Sequence, residues 1–444
     1  MNANHLAGPR RRDRLGLRLA AVAVAGATVA TLAPTAAVAA GVGVPAAVAE
    51  AERQRPAVDL GPELRALVER GGATAALGEA RENGRRPSRD AAGVVDLDSG
   101  RAVRADSRFR IGSVTKTFVS TVVLQLADEG RLRLDDPVEQ YLPGVVPNGG
   151  AITLRQLLQH TSGLFDYLED PRFLYHDEAS LRAYLAEGRW TDFRPEELVS
   201  VGVGHAPYFA PGQGWHYSNT NYILIGMIIR KVTGRSWQRE VERRIVAPLH
   251  LDSTTFPNSS ARIPGPHAHG YVQLPEGPAD VTKLNPTVAD AAGNGISSTA
   301  DLDRFHAALF GGKLLTAAGL AEMTTAVPAP MIAAHYGLGL IRYDLPCGEV
   351  WGHTGGIPGY NTIMLGARDG SRQFAVSFNL LEGAETDETG AAIDALLLKA
   401  ACGPDGTGAG ATGAGATEAG ATEAAPAAPS AKDAAGRSPL KLLR

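Results

Sequence analysis

Apolar positions along this chain follow two different spacings, and the change from one to the other outlines the fold. In SVTKTFVSTVVLQLADEG, Val114, Phe118, Val122 and Leu126 recur every four residues, Val119 and Val123 widen the stripe, and Gly130 supplies a stop. That spacing predicts a buried helix opening at or next to Ser113. TNYILIGMIIRKVTG predicts a second apolar helix ending at Gly234, and AAIDALLLKAAC a last one. The run NTIMLGARDGSRQFAVSFNL reads instead as two strands joined at Arg368-Asp369-Gly370, an Asp-Gly hairpin signal, with EVWGHTGGI as a strand just before it. A helix near 60–70, strands around 91–105, a mostly helical middle from 113 to about 325 and strands again from 336 to 380 complete the pattern. Strands at both ends with helices between them predict an α/β (α+β) fold. One antiparallel sheet is built from both chain ends and flanked by helices, beside a mostly helical region, with the site at the seam.

Three short motifs lie on these elements in one order: Ser113-Val-Thr-Lys116, Tyr217-Ser-Asn219 and His353-Thr354-Gly355. A hydroxyl and an amine three residues apart share a helix face, and a helix N-terminus favours developing negative charge. Taken singly, each motif has a plain alternative: Ser113 as an ordinary N-cap, Tyr217 as a turn residue, His353 as a structural strand-end histidine. Ser438-Pro-Leu-Lys441 repeats the first spacing, but its internal Pro and the chain end leave no helix to hold the pair in register. Tyr217 follows the turn-forming FAPGQGWH and precedes an apolar helix, which places it on a loop facing a cleft. Gly352, Gly355 and Gly356 around His353 suit a strand that a substrate backbone approaches closely. Together the motifs supply a nucleophile, a proton shuttle and an oxyanion-side strand, the parts of a serine acyl-transfer enzyme.

These motifs, with FRIGSVTKTF, LQLADEGRL, YLPG, ITLRQLLQHTSGLFDY, GISSTADLDRF, HYGLGL and GHTGG, resemble the serine β-lactamase and D-alanyl-D-alanine carboxypeptidase superfamily over roughly residues 60–402. The likeness is to its class C β-lactamase-like branch, and most of all to the secreted carboxypeptidase/transpeptidases of Streptomyces, which share a His in the third motif. The resemblance implies that Ser113 is acylated, that Lys116 eases its deprotonation, and that Tyr217 shuttles the proton. It implies that Asn219 holds a substrate amide and the lysine, that His353 and Thr354 orient the tyrosine, and that Gly355 and Gly356 border the oxyanion and substrate site. The implied function is an exported D-alanyl-D-alanine carboxypeptidase acting on peptidoglycan stem peptides, with β-lactams as acylating inhibitors. An esterase, a D-amino-acid amidase, a β-lactamase, or a penicillin-binding protein that acylates without turnover would use the same machinery.

Two positions depart from that pattern. The carboxypeptidases resembled here hold the terminal carboxylate of the leaving D-alanine with an Arg after Gly-Leu-Gly-Leu and a Thr after His-Thr-Gly. This chain has Ile341 and Gly356 there, and Arg342 is offset by one residue, which on a strand points to the other face. The resemblance also places a cysteine at both Cys347 and Cys402. A bridge between them fits an exported protein; two free buried thiols are the alternative.

The chain ends and the charge add the setting. Arg10, Arg11, Arg12, Arg14 and Arg18 precede LAAVAVAGATVATLAP, and Ala37-Val38-Ala39 fits a cleavage site, so residues 1–39 read as a signal peptide. Residues 40–58 read as a flexible lead-in, 59–402 as the catalytic domain, and 403–444, rich in Gly, Ala and Thr, as a disordered tail. Removing 1–39 takes away five Arg and one Asp, so the net charge of −4 becomes −8, which argues against nucleic acid as a partner. No HExxH helix is present, no GxGxxG loop follows a predicted strand, and His267-Ala-His269 reads as a solvated loop, so neither a metal nor another cofactor is expected. The leader's apolar run, broken by Gly26 and Pro34, is short for a membrane span, and none is expected in the mature chain.

Overall fold

Strands β1 (Ala73–Glu82) and β2 (Ser88–Gly93) come from the N-terminal side of the chain, and β7 (Val327–Ala329) to β12 (Arg372–Glu382) from the C-terminal side. Between them run β8 (Ala334–Tyr336), β9 (Ile341–Leu345), β10 (Gly348–Ile357) and β11 (Tyr360–Gly366). The sheet order is β2-β1-β12-β11-β10-β9-β8-β7, and every neighbouring pair on this path is antiparallel. This is the mixed α/β fold with one sheet from both chain ends. The structure is a computed structural model, and it describes residues 57–82, 85–175 and 177–403. The leader, most of the lead-in and the tail expected beyond Gly403 lie outside the described residues. Ala57 and Val58, at the end of the expected lead-in, are buried against the domain.

Period-2 alternation lets the sheet bury both faces. Val350, Ile363, Leu365, Phe374, Val376 and Phe378 pack with the helices Gly61–Glu69 and Asp387–Cys402. Trp351, Met364 and Ala375, one position out of phase, join the larger core of the helical region. The Asp369-Gly370 turn closes β11 onto β12, with Gly370 at φ 70°. Cys347, in the turn between β9 and β10, is bonded to Cys402 at the end of the last helix.

The first strands differ from expectation. They run over 73–93 rather than 91–105, and β1, ATAALGEARE, carries no β-branched residue except Thr74. Small residues are needed there because the Gly61–Glu69 helix lies close over the strand: a Cβ on Gly78 would stand 3.2 Å from Leu64. Packing thus outweighs strand propensity. The middle is mostly helical as expected, interrupted by β3 (Phe109–Arg110), the β4–β5 hairpin (Tyr271–Leu274, Gly277–Asp280) and β6 (Ile296–Ser297).

Candidate active site

Ser113 lies in a 3-10 turn, Gly112–Val114, that leads directly into the helix Thr115–Asp128. The expected stripe is fully buried, but so are Lys116, Thr117, Ser120 and Thr121. This helix is therefore wrapped on all sides. Its polar residues are satisfied from neighbours: Thr117 donates to the Gly339 carbonyl at 2.8 Å, and the Ser120 hydroxyl pairs with that of Tyr222 at 3.0 Å. Lys116 is directed to Ser113, its Nζ standing 3.0 Å from Ser113 Oγ, 2.8 Å from Asn219 Oδ1 and 2.7 Å from the Ala292 carbonyl.

Asn219 begins the helix Asn219–Thr233, which stops at Gly234 in a left-handed conformation, as expected. Tyr217, two residues before it, has its ring 4.8 Å from Lys116 Nζ, and Ser113 acts on its hydroxyl. The structure thus brings the first two motifs into contact. The third lies on β10. His353 and Thr354 are buried, and the ring centroids of His353 and Tyr217 are 6.4 Å apart.

Gly355 and Gly356 line the cleft, as the expected approach of a substrate requires, and a second cause acts on this strand. The protein's own backbone also approaches it. A Cβ on Gly355 would stand 2.1 Å from the Ile111 carbonyl oxygen and 2.9 Å from the Ser113 nitrogen, and one on Gly112 would stand 2.8 Å from the Gly356 nitrogen. The Ser113 turn and β10 abut, which brings the Gly112–Ser113 and Gly355–Gly356 backbones together. On the same strand, Gly352 backs onto the Met364 carbonyl of β11.

Asp166, His160 and Tyr336 complete the site, and motif reading missed all three. Asp166 Oδ2 accepts from Asn219 Nδ2 at 2.8 Å and Oδ1 from the Leu168 amide at 3.1 Å. Burial holds the Lys116 ammonium well below its ordinary range, with the Asp166 charge opposing, and burial raises the Asp166 carboxyl. Burial also raises the Tyr217 hydroxyl well above its ordinary range and depresses His353 to about 3. Each missed residue stands inside a segment that carries the resemblance (QHTSGLFDY or HYGLGL), and a charged Asp between Phe165 and Tyr167 is the one local signal.

The cleft above Ser113 has a volume of about 840 Å³. Phe173, Leu174, Tyr184, Met331, Ile332 and Ile341 form much of its apolar wall. Among the described residues lining it none is Arg or Lys, while Asp166, Glu169 and Glu385 are present. Arg342 does not reach the cleft; its guanidinium bonds Asp344 at 3.2 Å and His335 at 3.0 Å. His269 Nδ1 pairs with Asp280 at 2.8 Å.

The profile of the beta-lactamase family matches residues 62–399. The chain belongs to the beta-lactamase family. Penicillin-binding protein 4 of Amycolatopsis lactamdurans is 31% identical over 60% of this chain and 70% of its own length. Two penicillin-binding relatives from Bacillus subtilis are matched over about two thirds of their lengths. Among solved structures, a D-stereospecific amidohydrolase from Streptomyces sp. is 42% identical with a TM-score of 0.69, covering 77% of this chain and 97% of that one. The D-amino acid amidase of Ochrobactrum anthropi SV3 is 27% identical with a TM-score of 0.67, covering 76% of this chain and 96% of that one. This member of the family is accordingly a serine hydrolase of the beta-lactamase fold.

Proposed function

We propose that this family member is an exported amidohydrolase that forms an acyl-enzyme on Ser113 with amides or esters of D-configured amino acids. The observation that carries this reading is the cleft wall: no Arg or Lys among its described residues, apolar Ile341 at the expected anchor position, and three carboxylates. Such a wall suits a substrate without a free terminal carboxylate. The D-configuration rests on the two amide-hydrolysing neighbours, and export rests on the leader-like residues 1–39. No described helix is long and apolar enough to cross a membrane.

In this reading Ser113 Oγ attacks the substrate carbonyl carbon and its proton passes to the Tyr217–Lys116 pair. Because burial favours the neutral amine of Lys116 but disfavours a tyrosinate, Lys116 is the base and Tyr217 the relay. The Ser113 and Gly356 amides receive the developing oxyanion, where one donor is worth about 3 kcal/mol. The carbon–nitrogen bond of an amide, or the carbon–oxygen bond of an ester, then breaks, the leaving amine or alkoxide takes the relayed proton, and water releases the acid by the reverse path.

Action on peptidoglycan peptides as a D-alanyl-D-alanine carboxypeptidase is the second reading, favoured by the penicillin-binding relatives, and it uses the same nucleophile. One pair of substrates separates them: a peptide ending in D-Ala-D-Ala with a free carboxylate, and the same peptide amidated. With no cation to hold the carboxylate and three carboxylates in the cleft, the amidated peptide should turn over at least as fast as the free acid. A preference for the free acid would establish the carboxypeptidase. In either case Ser113→Ala should lose roughly 10⁴-fold or more in rate with unchanged circular dichroism.

A further inference from the structure

The third motif's histidine lies at one end of a buried hydrogen-bond chain whose other end is the second motif's backbone. The Tyr336 hydroxyl is 2.9 Å from His353 Nε2 and 3.2 Å from His160 Nε2. His160 Nδ1 is in turn 3.2 Å from the Ser218 amide. All three side chains are buried.

Both ends of the chain are fixed by backbone groups, and both fix the same direction. The Ser218 N–H can only donate, so His160 Nδ1 must accept and the ring must carry its proton on Nε2. Nε2–H then donates to the Tyr336 oxygen, and Tyr336 donates onward to His353 Nε2. At the far end, His353 Nδ1 is bonded to the Thr354 carbonyl, which can only accept, so Nδ1 carries the proton. The two constraints agree with both imidazoles neutral and the Tyr336 proton on the His353 side. Tyr222, the other hydroxyl near Tyr336, gives its own proton to the Leu158 carbonyl at 2.9 Å and so can only accept from Tyr336; that route would leave His353 an imidazolium, which its burial and the Lys116 charge oppose.

We propose that Tyr336 and His160 are positioning residues that lock His353 as a neutral, Nδ1-protonated imidazole, so that Lys116 alone carries titratable positive charge beside Ser113. The groups facing His353 fit this assignment. Tyr336 approaches from β8, Tyr217 from the loop before the Asn219–Thr233 helix, and Lys116 from the Thr115–Asp128 helix. Lys116 is the charge that acts on it, and it opposes a second cation. Burial, with the Lys116, His353 and His216 charges adding to it, pushes His160 well below its ordinary range. The relay therefore transmits the position of the Tyr217-Ser218-Asn219 loop to β10. It also gives the histidine a role distinct from that of a lysine in the same place, which would be a cation.

This inference rests on the reading of Ser113 and His353 as parts of one site, but its first test needs no substrate. Nitrogen-15 NMR of the histidine-labelled whole protein, with His353 assigned through a His353→Gln variant, reports which ring nitrogen bears the proton. A bare Nε2 and protonated Nδ1 at neutral pH is the expected result; a proton on Nε2, or an imidazolium, overturns the lock. In Tyr336→Phe, which keeps the ring packing, the His353 tautomers should mix and kcat/KM should fall about tenfold, the scale of one buried hydrogen bond. An unchanged tautomer with an unchanged rate would remove Tyr336 from the role. If that variant does not fold, the wild-type spectrum still decides. Failure of the lock with Ser113-dependent hydrolysis intact would leave the proposed function standing.

Discussion

Asp166 accepts a 2.8 Å hydrogen bond from the amide nitrogen of Asn219, whose amide oxygen accepts from Lys116 at 2.8 Å. The asparagine thus stands between a buried acid and a buried base, its orientation set by both. A flipped amide would face the lysine with two donors and the carboxylate with an oxygen, so the charges on either side hold it in one state.

That arrangement predicts a pH shift. Lys116 must be neutral to act as a base, so activity falls as pH drops through its pKa. The Asp166 carboxylate stabilises the ammonium and raises that pKa. Asp166→Asn removes the charge and keeps one of the two acceptor oxygens, so that either Asn219 or the Leu168 amide retains its bond. The acid limb of the kcat/KM profile should therefore move to lower pH. A limb that stays in place, or moves up, would mean that Lys116 is not the group being titrated.

Contact between β10 and the nucleophile turn predicts a coupled loss in Gly355→Ala. The added Cβ would stand 2.1 Å from the Ile111 oxygen, and backbone on both sides leaves no flexible atom to move. Overpacking of this kind costs about 1–3 kcal/mol. Because relief requires separating Ser113 from Gly356, the rate should fall at least about tenfold together with the melting temperature. Thermal unfolding and turnover measured on the same preparation check this; a change in neither would refute the close approach.

The Cys347–Cys402 bridge, closing a separation of 55 residues, joins the last helix to the turn between β9 and β10. By chain entropy it contributes up to about 4 kcal/mol. Reduction, or Cys347→Ala with Cys402→Ala, should lower the urea midpoint by a corresponding amount. The Ser113 turn lies on the other side of the sheet's central strands, so the reaction rate of molecules still folded should change little. An unchanged midpoint would mean that the bridge does not form in solution.

What the linear order carried was the set of elements whose cause is local. The stripe Val114–Phe118–Val122–Leu126, the stop at Gly234 and the Asp369-Gly370 turn need only neighbours in sequence, and each is found where its pattern places it. The same holds for the three motifs as chemistry-bearing segments, because their spacing on a helix or strand is a local property. Strand β1 was not legible: its alanines and glycine answer to the Gly61–Glu69 helix packed over them. Tertiary packing alone decided the rest. It buried Lys116 and so lowered its basicity, brought Asp166 to Asn219 across 53 residues of chain, and threaded Tyr336 between His160 and His353. Arg342, by contrast, bonds Asp344 away from the cleft as its one-residue offset on the strand predicts. Desolvation and hydrogen-bond direction depend on what surrounds a group on every side, and those surroundings come from segments far apart in the sequence.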